Sequence, residues 1–254
     1  MIFKGAKLTE TEILNYYRYK APTSAMDSPQ FQRTILQEAL KELSAKTDLS
    51  KMKVLDFGCG LGNNLKLFMK YFAKITAADI SPNAISLAKK NRNLKKIDFI
   101  LLNGNKLPFK PNSFDFILAA EVLEHVPNLT KTMSQLKRIL KKNGYILISA
   151  PNYWNPRGIS KKIIDFFTRE GFWDPSRAHP GGYERFMTPP KLLNQLKGFK
   201  TFWTHGSDYG TAWSPPMIKM YPKKFDNFFE ISLGKVSFLK KCGMNYYLLA
   251  QKLK

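Results

Sequence analysis

Short apolar runs alternate along this chain with longer stretches whose apolar residues recur at helical spacing. "KVLDFG", "KITAADI", "IDFILL", "FDFILAA" and "YILISAPN" read as strands, because each is brief and almost continuously apolar. "NNLKLFMKYF", "SPNAISLAKKN" and "LTKTMSQLKRILKK" read as helices between them. Ser81 with Pro82 behind it marks a helix start, and Asn143-Gly144 is expected to close the third helix. Strands apolar on both sides need cover on both faces, so the rhythm predicts an α/β, doubly wound, largely parallel sheet. Upstream, residues 9–20 and 29–46 predict two further helices. The second has Asp27 or Ser28 as its cap, Pro29 in its first turn, and a stripe of Phe31, Ile35, Leu36, Ala39, Leu40 and Leu43. After Pro151 the rhythm breaks. Residues 151–190 are rich in Pro, Gly, aromatics and Arg. "TPPKLLNQLKG" then predicts a helix, "FKTFWTHG" a strand, and "MNYYLLAQKL" a last strand beyond an aromatic and basic insertion at 213–240. Three parts follow: an N-terminal helical segment or lid (1–50), a ligand-binding core (51–152), and a variable substrate region with the closing strands of the same domain (153–254).

Composition narrows the class. The chain has 254 residues, 44% of them hydrophobic, enough to bury a sizeable core. Residues 1–20 hold Lys4, Lys7, Glu10, Glu12 and Arg18, so they make no secretory leader, and no run of about 18 uncharged apolar residues spans a membrane. Two cysteines, Cys59 and Cys242, form neither a metal-ligand set nor a disulfide framework, so the expected compartment is the reducing cytoplasm. The net charge is +22. Residues 1–50 carry 7 basic and 6 acidic side chains, residues 51–150 carry 17 and 6, and residues 151–254 carry 17 and 7, so the excess is spread rather than held in a tail. It is also mostly lysine, 33 against 8 arginines, and arginine is the better tool for forked phosphate and base recognition. Nucleic acid is therefore a secondary reading. An anionic membrane surface, touched peripherally, or an acidic small substrate fits the charge equally.

The candidate chemistry lies where the first strand enters its turn. Gly58, Gly60 and Gly62 are spaced G-x-G-x-G, and the dinucleotide fingerprint would need a glycine at Asn63. Asp56 sits two residues before the first glycine. A carboxylate there repels a pyrophosphate and suits an ammonium or sulfonium. Asp79 ends the next strand, where a carboxylate accepts hydrogen bonds from both hydroxyls of a ribose. The glycines mark a close backbone approach. S-adenosylmethionine meets all three conditions.

"VLDFGCGLG", "ITAADISPNAISLAKKN", "LLNGNKLPFKPNSFDFILAAEVLEHVPN" and "LKRILKKNGYILISAPN" occur in that order. Together they resemble class I S-adenosylmethionine-dependent methyltransferases, in the branch typified by quinone-biosynthesis methyltransferases. The resemblance is close over residues 50–152 and loose beyond. It implies a Rossmann-like, seven-stranded sheet whose last strand is antiparallel and inserted beside its neighbours. It implies that Asp56, Gly58, Cys59, Gly60 and Gly62 line the methionine end of the cofactor, and that Asp79 and Ile80 hold ribose and adenine. Ala120 and Glu121 would touch the cofactor after the fourth strand. Many relatives place an Asp in the loop after the third strand to accept from the adenine amino group. This chain has Asn105 there, whose amide oxygen still accepts.

Methyl transfer from a sulfonium needs alignment and exclusion of water more than acid–base groups, although a hydroxyl acceptor usually needs a base. His125, in "EVLEHVPN", is a candidate catalytic group or a capping histidine. His179, clustered with Arg177, Tyr183, Glu184 and Arg185, is a candidate for catalysis and substrate contact or a surface-loop histidine; Tyr183 and Arg185 are the expected substrate residues. His205 reads as structural, Glu121 as a base or a dipole-favoured charge, Glu124 as the latter. Tyr16, Tyr17 and Arg18 either close over the methionine end or form an amphipathic helix face. Cys59 reads as a packed residue of the turn rather than a nucleophile. The insertion at 213–240 either caps the sheet or forms a lid against lipid. The reading is a methyltransferase acting on a small molecule, glycan or lipid/quinone-type acceptor at oxygen. Its rivals are an RNA methyltransferase, for which "APNYWNP" only superficially matches the Asn-Pro-Pro-aromatic signature, and a non-catalytic cofactor-binding scaffold.

Overall fold

The computed structural model describes residues 9–19, 30–104, 106–160, 163, 184–209 and 232–253. Seven strands form one sheet: β1 (Lys53–Phe57), β2 (Lys74–Asp79), β3 (Asp98–Leu101), β4 (Phe114–Ala120), β5 (Leu140–Pro151), β6 (Phe199–Ser207) and β7 (Asn245–Lys252). Their order is β3-β2-β1-β4-β5-β7-β6. The first five run parallel, and β7 is antiparallel to both of its neighbours. The expected sheet and its inverted last strand are therefore both present.

Neighbouring residues on each strand feed opposite faces, as the pleat requires. Leu55, Ile117, Ile148 and Leu248 join one core cluster; Val54, Phe116, Leu147 and Leu249 join the other. Helix α2 (Gln30–Ser44) covers the second face with Ile35, Leu36, Ala39, Leu40 and Leu43. Helix α5 (Leu129–Ile139) covers the first with Leu129, Met133, Leu136 and Ile139. Further helices among the described residues include α1 (Glu10–Tyr19), α3 (Leu65–Phe68), α4 (Pro82–Lys90) and α6 (Pro189–Asn194). Among the described residues no helix is long and apolar enough to cross a membrane.

Helix ends follow local chemistry. Ser81 caps α4, its Oγ accepting from Ala84 N at 3.2 Å with Pro82 in the first turn. Asn128 caps α5 by accepting from Lys131 N at 3.0 Å. Two expected boundaries shift. Helix α5 ends at Ile139, before Asn143-Gly144, because the carbonyls of Lys137 and Leu140 are taken by Lys252 Nζ at 2.9 and 2.7 Å. Asn143, at φ 60°, instead bends the start of β5, where the β4–β5 register jumps from Phe114↔Leu140 to Phe116↔Tyr145. The helix expected over "NNLKLFMKYF" is regular only at Leu65–Phe68, then continues as turns, with Tyr71 N donating to Phe68 O. Those turns bring Phe72 onto Phe116, ring centroids 5.3 Å apart, beside Phe68 at 5.9 Å from the same ring. Of the insertion at 213–240, residues 213–231 lie outside the described residues, as do the caps proposed at Asp27 and Ser28.

Phe116 joins β4, α3 and the turns after it while fully buried. Phe116→Ala is expected to cost about 3–5 kcal/mol of stability, read as a lower urea midpoint at unchanged slope.

Candidate functional site

The chain leaves β1 for one side of the sheet and β4 for the other, which opens a crevice at the carboxyl ends of these two neighbouring strands. Gly58, at φ +76°, turns the chain out of β1. A Cβ there would lie 2.3 Å from Val122 Cγ2, so only glycine lets the loop after β4 come this close. Gly62 is tight for a similar reason, its missing Cβ facing Leu65 and Leu94. Gly60 is different. Its backbone is left-handed at φ +52°, yet nothing lies within 4 Å of where its Cβ would be. Two of the glycines thus serve packing, and the middle one faces open space.

Asp79, at the tip of β2, is bound to this turn. Its Oδ2 accepts from Gly60 N at 2.8 Å and its Oδ1 from Ser81 N at 2.9 Å. A carboxylate has about four lone-pair sites, so Asp79 keeps capacity for a further donor. Burial raises the Asp79 pKa, opposed by those backbone bonds. Asp56 lies deeper, 3% exposed, and its Oδ2 has no hydrogen-bond partner among the described residues. Burial, reinforced by the Asp79 charge, raises its pKa to about 7. A buried carboxylate with an unmatched oxygen, beside a turn with an open face, fits a ligand that brings a cation and vicinal hydroxyls. Cys59 is buried in the same turn, and desolvation with the two nearby carboxylates pushes its thiol well up, which leaves it protonated and inert.

A cavity continues from the glycine turn toward α1. Phe57, Gly58, Asp79 and Ile80 line one end; Glu121, Val122 and His125 line the wall after β4; Ile13, Leu14 and Tyr17 of α1 close the side. Polar contacts tie helix α1 down. Glu10 accepts from Asn128 Nδ2 at 3.0 Å, Tyr17 Oη lies 2.8 Å from His125 Nδ1, and Arg18 donates to Asn103 Oδ1 at 2.7 Å. The N-terminal helix thus covers the cavity from the β3 side to the loop after β4.

Behind His125 lies a group of acids. Glu121 holds a left-handed φ of 51°. Among the described residues the other non-glycine residues with positive φ are Asn112, Asn143 and Asp208, types that tolerate this conformation; Glu121 is not one, and the strain falls at the cavity wall. Its carboxyl accepts from Ser149 Oγ at 2.7 Å. Glu124 is 1% exposed, with one oxygen 3.5 Å from His125 Nε2 and the other, Oε2, lacking a hydrogen-bond partner among the described residues. Burial raises the Glu121 pKa to about 8, helped by the charges of Glu124 and Glu184. Burial likewise raises Glu124 to about 8, with Glu184 adding. The Tyr153 hydroxyl donates to Glu184 Oε1, and desolvation with that carboxylate drives the phenol pKa far up.

The structure gathers Gly58, Asp79, Ile80, Glu121 and His125 around one cavity, with Gly60 bonded to Asp79 and Asp56 and Cys59 beneath. Ala120 ends β4 immediately before Glu121. Arg185, expected at the substrate, directs its guanidinium to the carbonyls of Val126 and Pro127 at 3.2 and 2.9 Å. Asn105, His179 and Tyr183 lie outside the described residues. His205 is fully buried on β6, stacked on Trp203 with Nδ1 2.6 Å from Gly206 O, away from the cavity. In "APNYWNP" both asparagines direct their amides to backbone. Asn152 donates to Lys241 O and Gly243 O, and Asn155 donates to Asn152 O and Gly243 O. The Ser149–Glu121 and Tyr153–Glu184 pairs were not legible in sequence; the first follows from Ala120 and Ser149 sharing a register position.

The topology defines a Rossmann-like fold of the methyltransferase type. A chain from Mesorhizobium loti described as an S-adenosylmethionine dependent methyltransferase superposes with a TM-score of 0.58 at 14% identity, covering 88% of this chain and 98% of that one. Residues 55–148 match the family described as a methyltransferase domain. Over 129 residues the chain is 33% identical to sterol 4-C-methyltransferase strm-1 of Caenorhabditis elegans, covering 47% of this chain and 39% of the relative. Over 148 residues it is 30% identical to ubiquinone biosynthesis O-methyltransferase of Bartonella bacilliformis, covering 57% and 58%. The matched regions thus span about two fifths to three fifths of these relatives' length. Residues 55–148 thus match a methyltransferase domain, carried on the fold of solved S-adenosylmethionine-dependent methyltransferases.

An acid whose folded-state pKa exceeds its unfolded value binds its proton more tightly when folded. It therefore stabilises the fold at low pH, and that contribution falls away as pH rises from about 4 to about 8. Glu124→Gln keeps a neutral side chain at every pH. Its melting temperature is expected to match wild type near pH 4 and to exceed it increasingly up to pH 8. A difference independent of pH would show that Glu124 is not held protonated.

Proposed function

We propose that the protein is an enzyme that transfers the methyl group of S-adenosylmethionine to a hydroxyl of a small-molecule acceptor of aromatic, quinone-precursor type. One observation carries the cofactor half of this reading: the Asp79 carboxylate is fixed by Gly60 N and Ser81 N at the mouth of a crevice, with the unmatched Asp56 oxygen below it. Asp79 would take the ribose hydroxyls, Asp56 and the glycine turn the methionine end, and Ile80 an adenine face. Bound there, the cofactor supplies an electrophilic methyl on a good, neutral leaving group. The chain's own work is then to exclude water, align the acceptor and remove its proton. The apolar wall built by Ile13, Leu14, Phe57 and Val122, with His125 as its imidazole, supports an apolar acceptor bearing a hydroxyl. The relative named as a ubiquinone biosynthesis O-methyltransferase supports the same class. Glycan acceptors fit the cavity's apolar wall less well. The spread of lysines and the backbone-bound asparagines of "APNYWNP" give RNA no specific support.

Calorimetric titration with S-adenosylhomocysteine tests the cofactor site. Wild type is expected to bind, and Asp79→Ala to lose at least about tenfold in affinity, since two charge-assisted bonds to ribose are each worth about 1.5–3 kcal/mol. Binding of NAD in place of the sulfur nucleoside would refute the site. Gly60→Ala offers a second check. Its Cβ enters open space, so the fold should lose only about 1–2 kcal/mol from the left-handed backbone while cofactor affinity drops sharply. An unchanged affinity would move the cofactor off the glycine turn. For the acceptor, incubation with methyl-labelled cofactor and 3,4-dihydroxybenzoate is expected to give an aryl methyl ether.

A further inference from the structure

We propose that Gln135 reads the base of the cofactor: its amide Nε2 donates to a ring nitrogen of the adenine, and Arg138 fixes the amide in the orientation that makes it a donor. The inference rests on the reading that Asp79 takes the ribose of S-adenosylmethionine. It deepens that reading by assigning recognition of the base to helix α5, and it is independent of the methyl acceptor.

The strands set the direction in which the base lies. Asp79, at the tip of β2, is in register with Leu101 of β3, and Leu102 N donates to Asp79 O at 2.8 Å. The chain leaving β3 therefore starts beside the ribose carboxylate, on the side away from β1 and Asp56. A nucleoside whose hydroxyls meet Asp79 and whose methionine end lies at the glycine turn sends its base to the β3 side. There the cavity is walled by Ile80, Leu102 and Leu107, and by Thr132 and Gln135 of α5. Thr132 and Gln135 are three residues apart and share a helix face. The aliphatic side chains suit the flat faces of a heterocycle. The amide of Gln135 is the polar group that α5 adds to this wall beside the Thr132 hydroxyl.

Arg138 lies one turn further along α5 and decides how that amide points. Its Nε and Nη2 both donate to Gln135 Oε1, at 3.2 and 3.0 Å. Its Nη2 also donates to Leu107 O at 3.1 Å, and its Nη1 to Phe109 O at 2.9 Å. A guanidinium carries donors only, so the Gln135 atom that faces it is the oxygen. The oxygen is thereby occupied, and Nε2, which has no acceptor among the described residues, is the polar atom left to a ligand. The same guanidinium holds the loop that carries Leu107 to the cavity. Phe109 of that loop packs edge-on against Phe114, ring centroids 5.0 Å apart, and Ser113 Oγ donates to Lys110 O at 2.6 Å. One side chain thus anchors both the apolar wall of the base site and the amide beside it.

The polarity of the amide selects what it can meet. Adenine presents its ring nitrogens N1, N3 and N7 as acceptors and its exocyclic amino group as a donor. An amide N–H matches a ring nitrogen and opposes the amino group. Turning the amide over to present Oε1 instead would set its NH2 against the guanidinium, donor against donor, and leave two Arg138 donors without an acceptor. The site therefore keeps one sign at this point and rejects a ring edge that offers N–H in place of a lone pair. Gln135 is the residue that determines specificity for the base. Arg138 acts through Gln135 and Leu107, so it is a positioning residue.

The test is calorimetric titration of the full chain with S-adenosylhomocysteine and with its 1-deaza, 3-deaza and 7-deaza analogues, in each of which one ring nitrogen becomes C–H. Wild type is expected to bind at least one analogue about fivefold more weakly than the parent, the worth of one neutral hydrogen bond. Gln135→Glu is the deciding variant. Its carboxylate still accepts from Arg138, so the melting temperature should stay at or above that of wild type, but it has no N–H to donate. It should bind the parent about fivefold more weakly and lose the preference for the parent over one of the analogues. Arg138→Lys keeps the charge and loses the fork, which frees the amide to turn, so the same preference should fall below about twofold. A purely structural Arg138 would weaken parent and analogues in proportion and leave the preference standing, and that result overturns its positioning role. A Gln135→Glu protein that binds the parent within about twofold of wild type, or keeps every deaza preference of wild type, overturns the assignment and leaves the cofactor reading intact. A wild type that binds no S-adenosylhomocysteine overturns the cofactor reading and this assignment with it.

Discussion

The site depends on the close approach of two loops, those leaving β1 and β4, at the point where the missing Cβ of Gly58 makes room for Val122. Pairing of β1 with both β2 and β4 sets the crevice, but pairing alone would leave the loops apart. A side chain at Gly58 would push the "EVLEHV" segment outward, and with it the Glu121 strain, the His125 ring and the anchor for Tyr17. The contact is small and apolar, yet it fixes the distance between the half of the crevice that suits a nucleoside and the half that suits an acceptor. The left-handed glycine is required here by packing between protein segments, before any ligand is considered.

The chain's charge makes a second constraint visible. A protein of net charge +22 keeps Asp56 and Glu124 buried, and Glu121 half-buried on the cavity wall, at one end of its sheet. Buried acids are costly unless paired or protonated. None of the three is matched by a buried lysine or arginine side chain among the described contacts; desolvation raises their pKa values instead. The fold therefore stores poised protons under the cavity, while the lysines stay outside, several of them working locally, as Lys252 does on the last carbonyls of α5. Net charge described the surface and was silent about the site.

What the sequence made legible was whatever depends on local pattern. Strand order beyond adjacency came from family resemblance, and the strands themselves from apolar runs. Ser81 and Pro82 announced α4, and the turn at Gly58 announced the crevice. Asp79 was legible because a carboxylate at the tip of a second strand has few structural reasons to be there. Failures came where tertiary contacts override local preference. Asn143-Gly144 looks like a helix terminator, yet Lys252, over a hundred residues later, supplies the donors that end α5 earlier. "NNLKLFMKYF" has helical period, but the need to stack Phe72 on Phe116 tightens it into turns. The two backbone carbonyls that accept from the Arg185 guanidinium are likewise set by packing and not by any local pattern. No spacing rule joins Ser149 to Glu121 or Tyr153 to Glu184, since those pairs exist only once strand tips and returning segments are packed.

The N-terminal helix shows why such a site is finished by a distant piece of chain. The crevice between β1 and β4 is open on the side away from the sheet, and a methyl donor exposed to water gains nothing from alignment. Helix α1 brings an apolar face, Ile13 and Leu14, and one polar group, Tyr17, to that opening. Its ties include polar ones: Glu10 to Asn128, Tyr17 to His125 and Arg18 to Asn103. Only one α1 residue, Ile13, is buried, so little hydrophobic area holds the helix shut. Because one of those bonds ends on His125, the helix that covers the cavity also contributes to the hydrogen bonding of an imidazole in its wall.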